Sequence, residues 1–142
     1  MLDQHAYAEW LGLYVPECAY WIPASNPAGD PRARITLEFH DRRRLLDRVA
    51  RLGTGLAYSQ LPASRTARLL SGLEIWASPG CGGEWRARCN FLLAESRAGR
   101  NRVLAGWYGF VVRKVGDDLR LVLKQVNLLD PDEPQGNNSF FL

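Results

Sequence analysis

At 142 residues and 16.0 kDa, the chain is long enough for one hydrophobic core and too short for two. Its 46% hydrophobic and 23% charged residues exclude an intrinsically disordered chain, and no apolar run reaches the length of a bilayer-spanning helix. The net charge of +3 conceals a basic excess in residues 41–100 that is almost all arginine and alternates with apolar residues, a pattern that suits carboxylate pairing better than nucleic-acid binding.

In chain order, residues 2–14 carry an apolar stripe of Leu2, Tyr7, Trp10, Leu11 and Tyr14, which predicts a short helix ended by Pro16. Residues 19–23 read as a strand closed by Pro23, residues 25–32 as a proline-rich loop, and residues 34–39 as a brief extended segment. The next stretch organises the rest of the chain. Asp41 can cap a helix over 41–52, in which Leu45, Leu46, Val49 and Leu52 share one face while Arg42, Arg43, Arg48 and Arg51 point elsewhere. Gly53-Thr54-Gly55 closes that helix, and a polar loop over 57–63 leads into Ser64-Arg65-Thr66.

From there the apolar period changes from 3.6 to 2. Leu69, Ser71, Leu73, Ile75 and Ala77 are expected on one face of a strand that stops at a turn over 79–83. In the following strand Trp85, Ala87, Cys89, Phe91 and Leu93 alternate with Glu84, Arg86, Arg88 and Asn90, so one face is buried. Residues 98–101 turn the chain into 103–112, which is apolar on both faces, with Trp107 and Val111 opposite Leu104, Tyr108 and Phe110. A third turn at Gly116-Asp117-Asp118 precedes a last strand whose apolar phase shifts after Leu123, which predicts a bulge near Gln125. Helices followed by a four-strand meander define an α+β layout: a single domain over 1–142 with a strongly curved sheet wrapping helices on its concave side.

The chemistry available to the chain is limited. Cys18, Cys81 and Cys89 have no CxxC spacing and read as reduced thiols, two packed and one in a turn. Residues 1–5 carry no basic leader ahead of an apolar segment, so the expected location is cytoplasmic, with neither a membrane nor a nucleic-acid partner.

Several segments together resemble the small, or beta, subunit of aromatic-ring-hydroxylating dioxygenases. They are Leu13-Tyr14, Tyr20-Trp21-Ile22-Pro23-Ala24, residues 41–52, Thr54-Gly55, Pro62, Ser64-Arg65-Thr66, Arg68, Asn90-Phe91 and the ending Asn137-Asn138-Ser139-Phe140-Phe141-Leu142. The resemblance runs almost end to end and follows the order of the elements. It implies the NTF2-like (cystatin-like, SnoaL-like) cone, assembly with a catalytic alpha (large) subunit as α3β3, and self-association as a trimer. Relative to that family the chain begins midway along the first helix, and it carries Gly72, Trp107 and Gly109 where other residues are common. The subunit-contact candidates are Arg65, Thr66, Arg68, Trp107, Phe140, Phe141 and Leu142, with residues 131–136 as a polar loop before the tail.

A Rieske 2Fe-2S cluster takes two histidines and two cysteines, and mononuclear non-haem iron takes two more histidines and a carboxylate. The sequence holds only His5 and His40, so both groups are expected on the partner alpha subunit, with no catalytic, cofactor or metal residue on this chain. Two alternatives stand beside this reading. NTF2-like folds also serve as stand-alone isomerases or dehydratases acting on small hydrophobic molecules, for which His40 with Asp41, Tyr14, Tyr20, Glu74 and Glu95 are the acid/base candidates. A pure scaffolding module would share the arginine surface and the apolar tail.

Overall fold

The computed structural model describes residues 1–24, 36–54, 62–78, 83–131 and 140–142. A 3-10 turn, Leu2–Gln4, is followed by helix α1 (Tyr7–Gly12), strand β1 (Tyr14–Pro23), strand β2 (Thr36–Asp41) and helix α2 (Arg42–Gly53). Four strands then run β3 (Arg65–Ala77), β4 (Glu84–Arg97), β5 (Arg100–Val115) and β6 (Asp118–Leu128). They form one sheet in the order β2-β1-β6-β5-β4-β3. All neighbours are antiparallel except β1 and β6. The predicted meander therefore starts at the far edge from β2 and returns strand by strand until β6 closes onto β1.

Both helices pack on one face of the sheet. Trp10 and Leu11 of α1 and Leu45 of α2 meet Tyr20, Ile22, Cys89, Phe91, Leu93, Tyr108 and Val126 in the core, which is the predicted α+β layering. Asp41 caps α2 as expected, its Oδ1 accepting from the Arg44 amide at 2.9 Å. The alternation predicted for β4 also holds, with Cys89, Phe91 and Leu93 inside and Arg88 and Asn90 outside. On β5, Gly106 is required by packing: a Cβ there would stand 2.0 Å from the Asn127 main-chain oxygen.

Four local expectations are corrected. Residues 2–14 do not form one helix: His5 takes a left-handed conformation (φ 57°) that separates the 3-10 turn from α1, and Tyr14 and Pro16 already belong to β1. The cause is tertiary, because the Asp3 carboxylate is drawn to β3, accepting from Thr66 Oγ1 at 2.8 Å and the Arg68 amide at 3.0 Å. In α2 the inward positions are 45, 48, 49 and 52, so Arg48 is buried while Leu46, one residue out of phase, is 49% exposed.

The single face expected for β3 is split by a bulge at Gly72 (φ 61°): Leu69 and Ser71 lie on the outer face with Leu92 and Asn90, whereas Ile75 and Ala77 lie on the inner one. On β6 the irregularity falls between Leu121 and Leu123, ahead of the expected Gln125. The predicted loop over 25–32, Gly55, residues 57–61 of the predicted loop over 57–63, most of the turn over 79–83, Cys81, residues 132–136 and Asn137-Asn138-Ser139 lie outside the described residues.

Candidate functional site

The side chains singled out in the sequence fall into two groups, separated by strand alternation. Thr66 and Arg68 sit opposite Glu95 and Leu93 on the inner face of β3, while Arg65 sits opposite Ser96 on the outer face. Arg68 is an internal tie. Its guanidinium pairs with Asp3 and donates to the Phe141 main-chain oxygen, so the 3-10 turn, β3 and the tail converge on one side chain. Arg65 is exposed, and among the described residues its side chain has no hydrogen-bond partner.

The tail lies inside the fold. Phe140, Phe141 and Leu142 are 3%, 1% and 0% exposed, so they present no surface to a partner subunit. Arg48 of α2, also buried, pairs with Glu38 and donates to the Phe140 main-chain oxygen at 2.8 Å. Lys124 Nζ donates to the Leu142 main-chain oxygen at 2.5 Å and lies 4.4 Å from the Tyr108 ring centre. Burial pushes the Lys124 ammonium down from 10.5 to about 7. Periodicity could not reveal Arg48 or Lys124 as tail contacts, because both read from the sequence as ordinary surface charges.

The acid/base candidates do not converge on an open pocket. Asp41 serves as the helix cap, and His40 Nε2 lies 3.0 Å from Glu38 Oε1. Glu74 is exposed on β3, while Glu95 is buried, accepting from Ser64 Oγ at 2.5 Å and pairing with Arg102. Burial raises the Tyr14 and Tyr20 phenols above their usual range, and Tyr20 Oη is bonded to Leu142. Cys18 and Cys89 are free and buried, with their thiols pushed up by desolvation.

His5 Nε2 lies 3.1 Å from the Ser64 main-chain oxygen and His40 Nε2 lies 3.0 Å from Glu38 Oε1, and no cluster of three metal-ligating side chains occurs among the described residues. With two histidines the chain falls short of the four that a Rieske cluster and a two-histidine iron site together need.

What the surface does offer is apolar area at the β3 edge. Leu69, Leu70, Leu73 and Ile75 are 60–71% exposed, and Trp76 adds a partly exposed ring. A groove of about 290 Å³ runs along this side, lined by Leu69, Ser71, Asn90, Leu92, Ala105 and Leu129. Trp107 lies next to it on the outer face, opposite Asn90, with the Arg88 guanidinium 4.5 Å from its ring centre. An edge strand this long and apolar is a surface that folded proteins cover.

A sheet with helices on one face, an interior filled by its own tail and an uncovered apolar edge describes a protein built for association. Over its described residues, this is the NTF2-like architecture. Residues 1–131 match the ring hydroxylating beta subunit family, and the chain belongs to that family. It is 28% identical to the small oxygenase component of the p-cumate 2,3-dioxygenase system of Pseudomonas putida, over 100% of this chain and 79% of that relative. Identity to the benzoate 1,2-dioxygenase subunit beta of Acinetobacter baylyi is 27%, covering 89% of this chain and 77% of the relative. A chain of the naphthalene 1,2-dioxygenase structure with indole bound in the active site has the same fold, with a TM-score of 0.83 at 19% identity over 99% of this chain and 78% of that one. The protein is thus the non-catalytic small subunit of an aromatic-ring-hydroxylating dioxygenase, part of an oxidoreductase complex in aromatic catabolism.

Proposed function

We propose that this chain forms a trimer through which three alpha subunits are held in an α3β3 assembly in the cytoplasm. The Rieske cluster and the mononuclear iron belong to the alpha subunits in this reading. The exposed apolar row on β3 carries the proposal, because Leu69, Leu70, Leu73 and Ile75 would lose that area from water on association. Arg65 and Trp107, both on the outer face, are the contact residues retained from the sequence reading. Thr66, Arg68 and the tail act one step behind the surface, by fixing the start of β3.

Co-expression with the large subunit tests this reading. The expected product is a brown complex with α3β3 mass by light scattering, containing iron and labile sulfide. A small subunit that stays monomeric at micromolar concentration and does not co-purify would overturn it.

A further inference from the structure

Helix α2 opens on three arginines, Arg42, Arg43 and Arg44, and no acidic residue stands in its first turn. The positive end of a helix favours carboxylates there, so this start works against the helix it begins. Arg42 has an internal reason: it donates to the main-chain oxygens of Leu11 and Tyr14 and holds the end of α1 and the start of β1. Arg44 reaches sideways, with Nη1 3.1 Å from the Phe39 main-chain oxygen on β2. Arg43 is exposed, and among the described residues its side chain has no hydrogen-bond or ion-pair partner. Where a sequence breaks a local rule without internal compensation, the reason is sought in function.

The neighbours of these arginines give the surface its character. Arg43, Arg44, Leu46 and Arg51 fall within one half of the helix circumference, and all four are exposed. Leu46 is 49% exposed, and on the adjoining edge strand Leu37 and Phe39 are 47% and 42% exposed. Asp47 is the one carboxylate of α2, so the face is basic around apolar side chains. Sixteen of the eighteen basic residues in the chain are arginine, the cation that interfaces favour over lysine.

A face of one sign is not complementary to itself, because pairing it with its own copy brings arginine to arginine. The β3 edge differs, since Glu74 stands opposite Arg88 there and the charges are mixed. Strands β2 and β3 are the two ends of the sheet, five strand spacings or roughly 24 Å apart, so a trimer closed at β3 leaves the α2 side open to another chain.

We propose that the exposed face of α2, with the β2 edge beside it, docks an acidic surface of the large subunit. Arg43, Arg44 and Arg51 pair with carboxylates of that chain, while Leu46 and Phe39 lose their apolar area from water. This docking face rests on the assembly proposed above and adds to it a second contact surface, distinct from β3.

The test uses the full-length Arg43→Glu/Arg44→Glu variant with the native large subunit. In the isolated variant the new carboxylates suit the start of α2, so its thermal midpoint should hold or rise. Its self-association, read by analytical ultracentrifugation, should match that of the native chain. Its affinity for the large subunit should fall at least about tenfold, because like charges now face each other. Native affinity should itself fall about tenfold between about 0.05 and 0.5 M salt, as screening shortens the reach of the charges. An affinity within about twofold of native would overturn the docking face and leave the assembly standing. Loss of self-association would assign the arginines to the trimer contact and overturn it as well. Native chains that do not assemble at all would overturn the assembly reading, and the docking face with it.

Discussion

The guanidinium of Arg48 lies 4.4 Å from the centre of the Phe141 ring, joining the middle of α2 to a residue 93 positions later in the chain. The same side chain pairs with Glu38 and donates to the Phe140 main-chain oxygen, so a single arginine fastens the tail against the strand before α2. Replacing it by alanine leaves Glu38 with only His40 beside it and takes the Arg48 donor from the Phe140 oxygen. Arg48→Ala is expected to cost about 3 kcal/mol, the range for breaking a largely buried pair. Urea unfolding followed by tryptophan fluorescence measures this, and a loss within 0.5 kcal/mol, on the order of an exposed salt bridge, would refute the tie.

Arg65 and Arg68 are three residues apart and point to opposite faces of β3, so their alanine variants should behave differently. Arg68→Ala loses Asp3 and the Phe141 oxygen and is expected to lower stability by about 2 kcal/mol. Arg65→Ala should change stability by no more than about 0.5 kcal/mol while weakening assembly with the large subunit. Thermal melts of the isolated chains and light scattering of the complexes separate the two effects. An unchanged complex mass for Arg65→Ala at nanomolar dilution would remove that residue from the contact surface.

The β3 edge offers a direct test of association. Ile75 is 63% exposed, so Ile75→Lys places a charge on the surface without disturbing the chain's own core. The variant should fold with native stability, within about 0.5 kcal/mol, and lose self-association. Analytical ultracentrifugation against the unsubstituted chain reads this, and an unchanged oligomer distribution would move the interface elsewhere.

Gly106 predicts a packing failure. Its missing Cβ leaves room for the Asn127 main-chain oxygen, which a methyl group would approach to 2.0 Å, and for the Phe91 ring edge at 2.9 Å. Since backbone must move to relieve the clash, Gly106→Ala should cost about 3 kcal/mol. Purified yield and the urea midpoint report it, and a near-native midpoint would show that β5 and β6 separate at little cost.

Lys124 gives stability a pH dependence of definite sign. With its ammonium lowered from 10.5 to about 7, the unfolded chain binds the proton between those values and the folded chain does not. Unfolding then takes up a proton, so this group's contribution to stability rises as pH climbs from about 7 toward 10.5. The Cys18 and Cys89 thiols, raised by burial above 9.0, and the Tyr14, Tyr20 and Tyr108 phenols, raised above 10.0, act in the opposite direction above those values, because the unfolded chain loses those protons first. Urea midpoints should therefore climb above neutral pH, level off from about pH 9 and fall beyond about pH 10, and Lys124→Met should flatten the climb. An identical slope in the variant would show that Lys124 keeps its ordinary affinity for the proton.

Much of the fold is visible in local chemistry. The Asp41 cap, the length of α2, the turns over 98–101 and 116–118 and the inward run Cys89, Phe91 and Leu93 each depend on spacings within a few residues. The failures share a cause. Leu46 faces out and Arg48 faces in because periodicity allows the helix to rotate by one position, and the sheet decides which stripe is covered. Gly72 shifts the phase of β3 in a way that alternation on either side does not announce. The two roles of Arg65 and Arg68 separate only when strand direction and register are known.

The sequence alone determined that this chain could not carry the dioxygenase metal centres, since two histidines cannot supply four ligands, and its residues pointed to the beta-subunit family. Only the tertiary structure decided where the apolar tail goes. Three large side chains at positions 140–142 would suit a partner's groove or the chain's own interior equally well by hydrophobicity. Long-range packing settled it, because Trp10, Tyr20, Arg48, Arg68 and Lys124, spread across 115 positions of sequence, come together only once β6 has closed onto β1.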